Sequence, residues 1–147
     1  MFVKSLKVKD NKGKDVELKL VHNALTYIKY KNYTGRDLLD DTMNIGLAIK
    51  GNEKTALKAQ EKGIESLNDK EVQELIQVAL NSKTSEYILF LTSALIATAR
   101  HPEYLDFNDI IAELPDDIMY DSKFMETITE FMLINVDRIK KKVVAEK

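Results

Sequence analysis

Apolar and charged side chains alternate through the first part of the chain and then change period. Phe2, Leu6 and Val8 are interleaved with Lys4, Lys7 and Lys9 around Ser5, and Val16, Leu18 and Leu20 alternate with Glu17 and Lys19. Between the two runs, Asp10-Asn11-Lys12-Gly13-Lys14 supplies turn residues, with Gly13 able to take positive φ. Period two on both sides of a glycine loop predicts a β-hairpin over residues 1–21, apolar on one face and charged on the other. A lone hairpin is marginal in water. Its apolar face must therefore lie on helices, or its edges must pair with another chain.

From Val21 the period becomes helical. Val21, Ala24, Leu25 and Ile28 recur at i, i+3, i+4 and i+7, which places them on one helical face. A break follows at Tyr33-Thr34-Gly35-Arg36-Asp37. Thr34 with Asp37 fits a capping box at a helix start, and Gly35 equally fits the left-handed residue closing the preceding helix. A second helix is predicted over Asp37–Ile49, on the spacing of Leu39, Met43 and Leu47, with Lys50-Gly51-Asn52 ending it. Glu53–Leu67 is polar and weakly amphipathic. Asn68, with Glu71 three residues on, reads as an N-cap before the stripe Val72, Leu75, Ile76, Ala79 and Leu80. After a break at Asn81-Ser82-Lys83, the segment from Ser85 to His101 is apolar almost all round and predicts the central, most buried helix, stopped by Pro102. Phe107, Ile110, Ile111 and Leu114 predict a short helix capped by Asp106 or Asn108 and stopped by Pro115. Asp121 or Ser122 caps a long last helix striped by Phe124, Met125, Ile128, Phe131, Met132, Val136 and Ile139. Its end, Lys140-Lys141-Lys142, complements the negative pole of a helix. The fold class is mainly α: an N-terminal hairpin followed by a compact bundle of about six helices. It forms a single domain over 1–142 (hairpin 1–21, helices 22–142), with 143–147 as a frayed tail.

Composition narrows the chemistry. A chain of 147 residues buries roughly 68–70% of its unfolded surface, enough for a core without staples. It holds no cysteine, which excludes thiol catalysis and zinc–thiolate sites. Twenty-two basic against 24 acidic side chains leave a net charge of −2, and a nucleic-acid binder normally carries a basic excess. The first residues lack the apolar run of a signal peptide. The most apolar stretch, Tyr87–Ala99, falls short of the about 20 residues a membrane span needs. The expectation is a cytoplasmic protein that binds neither nucleic acid nor membrane. His22 and His101 stand alone at helix boundaries and read as solvated. The doublets Asp40-Asp41 and Asp116-Asp117 lack calcium-loop spacing, and Gly51-Asn52-Glu53-Lys54-Thr55 lacks the glycines of a phosphate loop. No nucleophile–base arrangement is present, so neither catalysis nor a cofactor is expected.

Tyr27, Tyr30 and Tyr33 recur three apart among lysines. Rings at the core margin with hydroxyls reaching water are the simplest reading. With Arg36 they also suit a protein-binding surface, since Tyr and Arg are enriched at interface hot spots.

The junction Tyr33-Thr34-Gly35-Arg36-Asp37-Leu38-Leu39, set after a hairpin and before a wholly helical remainder, resembles the tail assembly chaperones of long-tailed bacteriophages and prophages. The buried central helix and the short helix Phe107–Leu114 ahead of a long final one are similar in order of parts. The resemblance implies a non-enzymatic chaperone, without cofactor, that binds and solubilises the tape measure protein and aids assembly of the tail tube protein in the host cytoplasm. It also implies that some members have a longer form made by ribosomal frameshifting, for which Lys140-Lys141-Lys142 is the candidate slip position. Candidate partner-binding residues are Tyr27, Tyr30, Arg36, Phe124, Phe131 and Met132, and self-association is a further candidate. A non-enzymatic regulatory interaction domain of a phage or bacterium is the alternative.

Overall fold

The computed structural model describes residues 1–48, 58, 62, 66–71 and 82–145. Mostly helical, it opens with strands β1 (Phe2–Lys9) and β2 (Asp15–His22), an antiparallel pair with Leu6 opposite Leu18 and Val8 opposite Val16. The turn is built as the composition requires. The Asp10 carboxylate accepts from the amides of Lys12 (2.8 Å) and Lys14 (2.9 Å), and Gly13 takes φ +78°. Those amides, Lys14's foremost, hold the Asp10 carboxyl below its ordinary range. Leu6, Val8 and Leu20 are buried, so the hairpin lies on the helices rather than waiting for another chain: β2 packs on the central helix and β1 on the last one.

Helix α1 spans Ala24–Thr34 and starts later than the periodicity suggests. Val21 and His22 complete β2, and Asn23 is the cap. Its side chain accepts from the Leu25 amide (2.8 Å), while Thr26 Oγ1 accepts from the Asn23 amide (3.1 Å), a reciprocal capping box. The expected apolar face is overturned. Ala24 and Ile28 face solvent, and Thr26 and Tyr30 fill the core. Tyrosine brings a larger ring than Ile or Ala and can enter the interior once its hydroxyl finds a partner. Here each does: Tyr30 donates to Asp41 Oδ2, Tyr27 to Asn135 Oδ1 (3.2 Å) and Tyr33 to Asp106 Oδ1 (3.3 Å).

Helix α2 covers Leu38–Ala48 and α3 covers Ser82–Ala99, so Ser82 and Lys83 belong to a helix, not to a break. Between them Asn68 and Glu71 cap reciprocally, the Asn68 amide donating to Glu71 Oε1 (3.1 Å) and the Glu71 amide to Asn68 Oδ1 (2.9 Å). The stripe predicted from Val72 to Leu80 lies outside the described residues, as does most of Glu53–Leu67. Along α3, Tyr87, Ile88, Leu91, Ala94 and Leu95 are buried, the last three completely. The hydroxyls between Tyr87 and Ala99 are satisfied within the helix: Thr92 donates to the Ile88 carbonyl (2.7 Å), Ser93 to Leu89 (2.8 Å) and Thr98 to Ala94 (2.6 Å). This is how a segment containing three hydroxyls serves as the centre of the core.

Helix α4 (Phe107–Glu113) is capped by Asp106, which accepts from the Asn108 amide at 2.8 Å. A 3-10 turn, Ile118–Tyr120, precedes α5 (Ser122–Ala145), where Asp121 accepts from the Phe124 amide at 3.0 Å. Helix α5 stays helical through Ala145, past the Lys142 boundary drawn for a frayed tail. Its inner stripe is Phe124, Met125, Ile128 and Phe131, continued one turn on by Asn135. No helix among the described residues is long and apolar enough to cross a membrane.

Candidate functional site

The residues from Tyr33 to Asp37 form a joint. Gly35 takes φ +74° and its amide donates to the Lys31 carbonyl at 2.8 Å, closing α1 in the left-handed conformation. Asp37, not Thr34, opens α2, since its carboxylate accepts from the amides of Leu39 (2.8 Å) and Asp40 (3.2 Å). Thr34 instead ties the turn together, donating to the Tyr30 carbonyl (2.7 Å) and accepting from the Arg36 amide (3.0 Å). The Arg36 guanidinium spans two helices: Nε donates to Asp41 Oδ2 in α2 and Nη2 to Glu86 Oε1 in α3, both at 2.9 Å, with its carbon 5.8 Å from the Phe90 ring centre. Asp41 therefore receives both Arg36 and the Tyr30 hydroxyl. Burial, reinforced by the Asp41 carboxylate, pushes the Tyr30 phenol well above its ordinary range, so it stays a hydrogen-bond donor.

Tyr33 stacks on Phe107 with centroids 4.3 Å apart and is half-buried. With Lys29, Asn32, Ala97, Tyr104 and Leu105 it lines a hollow of about 170 Å³. Tyr27 is also half-buried. Of the candidate partner-binding residues, Tyr30, Phe124 and Phe131 are corrected: each is at most 1% exposed and belongs to the core. The physical reason is the same for all three, a large ring on the helix face turned inward. Met132 is half-buried and packed on the core margin. Arg36 is exposed but engaged by two carboxylates. The tyrosine helix and the final helix thus do not present one continuous aromatic surface.

His22 corrects another expectation. It is 2% exposed rather than solvated, because strand alternation sets it on the same face as Leu18 and Leu20. Its Nε2 lies 2.9 Å from Asn135 Oδ1, and its ring meets Tyr27 edge-on (5.3 Å) and stacks on Phe131 (6.2 Å). Burial, the largest influence, lowers the imidazole pKa. Asn135 also accepts from Tyr27, and its own amide nitrogen is buried without a hydrogen-bond partner. Nearby, the Tyr87 hydroxyl sits 2.7 Å from Thr42 Oγ1, and burial pushes that phenol up to about 12. His101, by contrast, is exposed as expected.

Outside this polar core lies the larger concavity, about 560 Å³. The starts of β1, α1 and α2 converge there with the C-terminal half of α5. Met1, Phe2, Ala24, Tyr27 and Leu39 provide its apolar surface, His22 part of its wall, and Asp37 and Arg138 charged side chains. Ile28, four residues beyond Ala24, and Met43, four beyond Leu39, are apolar and 54% and 53% exposed. Residues four apart share a helix face, so α1 and α2 each carry a further exposed apolar side chain on the face that bears a lining residue. Sequence reasoning missed Phe2, Leu39, Asn135 and Arg138 as site residues. Asn135 carried a signal, since it falls four residues after Phe131 on the buried stripe. Arg138 carried none.

The described residues hold no cluster of three or more His, Asp or Glu side chains able to bind a metal. What the arrangement offers is an open apolar groove that carries the Arg138 guanidinium and the Asp37 carboxylate, built on a hydrogen-bonded floor. Comparison with family models, with curated proteins and with solved structures found no match for this chain.

Proposed function

We propose that this chain is a phage tail assembly chaperone: a single domain over residues 1–142, with the hairpin on a compact bundle of about six helices, acting in the host cytoplasm. Its task is to bind the tape measure protein, keep it soluble and aid tail tube assembly, without catalysis, nucleotide or metal. The observation that carries the reading is the open apolar groove between the starts of β1, α1 and α2. A protein whose client is a very long helix with repeated apolar faces needs such a concavity, because helix recognition proceeds by laying an apolar stripe into a groove. The resemblance of Tyr33-Thr34-Gly35-Arg36-Asp37-Leu38-Leu39 and the order of elements support it. In this reading the motif builds the groove and does not line it throughout. Gly35 and Arg36 fix how α2 leaves α1, and Asp37 both caps α2 and stands in the groove.

Coexpression with a tape measure fragment tests the proposal. The fragment should stay soluble and co-purify with the chain in the presence of a chelator and without nucleotide. A fragment equally soluble without the chain, and never retained by it, refutes the chaperone reading. The alternative regulatory domain is separated by gene neighbourhood, since a chaperone gene should lie between a tail tube gene and a very long tape measure gene.

A further inference from the structure

We propose that the groove receives an amphipathic helix of another protein bearing an acidic side chain beside its apolar stripe, with Arg138 as the partner of that acid. The inference deepens the chaperone reading and rests on it for the identity of the helix's owner. Size comes first. A dry cavity of about 150 Å³ accepts one benzene-sized group, so the groove's 560 Å³ accommodates three to four such groups. That matches the anchors a helix presents at i, i+3, i+4 and i+7. The hollow beside Tyr33, at 170 Å³, takes a single ring.

Charge then selects among helices. Arg138 is exposed and lines the groove, and it has no ion-pair partner among the described residues. Arg36, in contrast, is held by two carboxylates. The one acid in the groove, Asp37, is engaged by the Leu39 and Asp40 amides at the positive pole of α2. Its charge is thereby partly compensated, whereas the Arg138 guanidinium has no such engagement. Arginine suits the task, since its planar fork matches a carboxylate in two places. Apolar side chains of the incoming helix would cover Phe2, Ala24 and Leu39, and its carboxylate would reach Arg138.

The test uses isotope-labelled full-length protein and two helical peptides sharing one leucine stripe, flanked by glutamate in one and lysine in the other. The glutamate peptide should shift the backbone amides of Ala24, Leu39 and Arg138 and bind about tenfold tighter than the lysine peptide. Arg138→Glu should reverse that preference. Ala24→Glu should remove both, and it keeps the fold, because Ala24 is exposed in the first turn of α1, where an acid is favoured. Equal affinity for the two peptides overturns the proposal. So do absence of binding, shifts centred on Tyr104, shifts along Val3–Lys9 that signal an added strand, or the same shifts arising from self-association alone. The tape measure fragment separates the two readings. Retention by wild type and equally by Ala24→Glu overturns the groove and keeps the chaperone; no retention by wild type, with the glutamate peptide in the groove, does the reverse.

Discussion

Phe131 divides a core role from a partner-binding role. Its ring is 1% exposed, stacks on His22 at 6.2 Å and lies on the inner stripe of α5 with Phe124 and Ile128. Phe131→Ala removes a whole buried ring and leaves a space beside His22 that the surrounding core closes incompletely. Such truncations cost about 3–5 kcal/mol, against a total stability of about 5–15 kcal/mol for a domain of this kind. For about 150 residues each kcal/mol moves the melting temperature by about 2–4 °C, so a drop of about 6–20 °C is expected. Met132→Ala, half-buried on the adjacent position, should cost well under half as much. Urea unfolding followed by far-ultraviolet circular dichroism measures both, with an unchanged slope against denaturant confirming a change in stability alone. A Phe131→Ala protein as stable as wild type to within about 1 kcal/mol, yet unable to hold a client, would refute the reasoning. It would place the ring at the interface rather than in the core.

His22 predicts a pH dependence. Its folded pKa lies below the ordinary 6.5 because burial disfavours the imidazolium. The unfolded chain then binds more protons between the two values, so stability falls as pH drops through 6.5 and levels off below the folded pKa. Urea midpoints above and below 6.5 should differ more for wild type than for His22→Gln, and identical pH dependence would exclude His22 as the source. Gly35→Ala places a side chain at φ +74° with no heavy atom within 4 Å of the new Cβ. The cost should therefore be backbone strain alone, about 1–2 kcal/mol, and Gly35→Asn should cost less because Asn tolerates that region. A loss no greater for Ala than for Asn would count against the left-handed cap.

The features legible in the sequence are those encoded by neighbours in the chain. Alternation around Gly13 produced the hairpin, the largely apolar character around Leu91 and Leu95 marked the central helix, and the Asn68–Glu71 spacing gave a cap. Tyr30 was not legible, because its burial depends on Asp41, and neither was the inward turn of Tyr27, whose partner Asn135 is 108 residues away. Periodicity counts a tyrosine as amphipathic and cannot say whether its hydroxyl meets water or a carboxylate. The groove was illegible for a related reason. Phe2, Ala24, Leu39 and Arg138 come from four elements, and each is unremarkable in its own segment.

The joint and the groove are mechanically one object. Asp37 holds the first amides of α2, and the same residue stands in the groove two positions before Leu39, one of its apolar contacts. Arg36 then ties α2 to α3 through Asp41 and Glu86, so the direction of α2 is set against the most buried helix of the fold. A partner helix lying between α1 and α2 would therefore meet walls whose separation is fixed before binding. Preorganisation of this kind lowers the ordering cost of association. Under the proposed chaperone function, substitutions at Thr34, Gly35 or Arg36 should thus weaken co-purification of a tape measure fragment by displacing Leu39, although none of the three is among the groove's lining side chains. A short motif rich in caps and turn residues can in this way govern recognition while contributing almost no contact surface of its own.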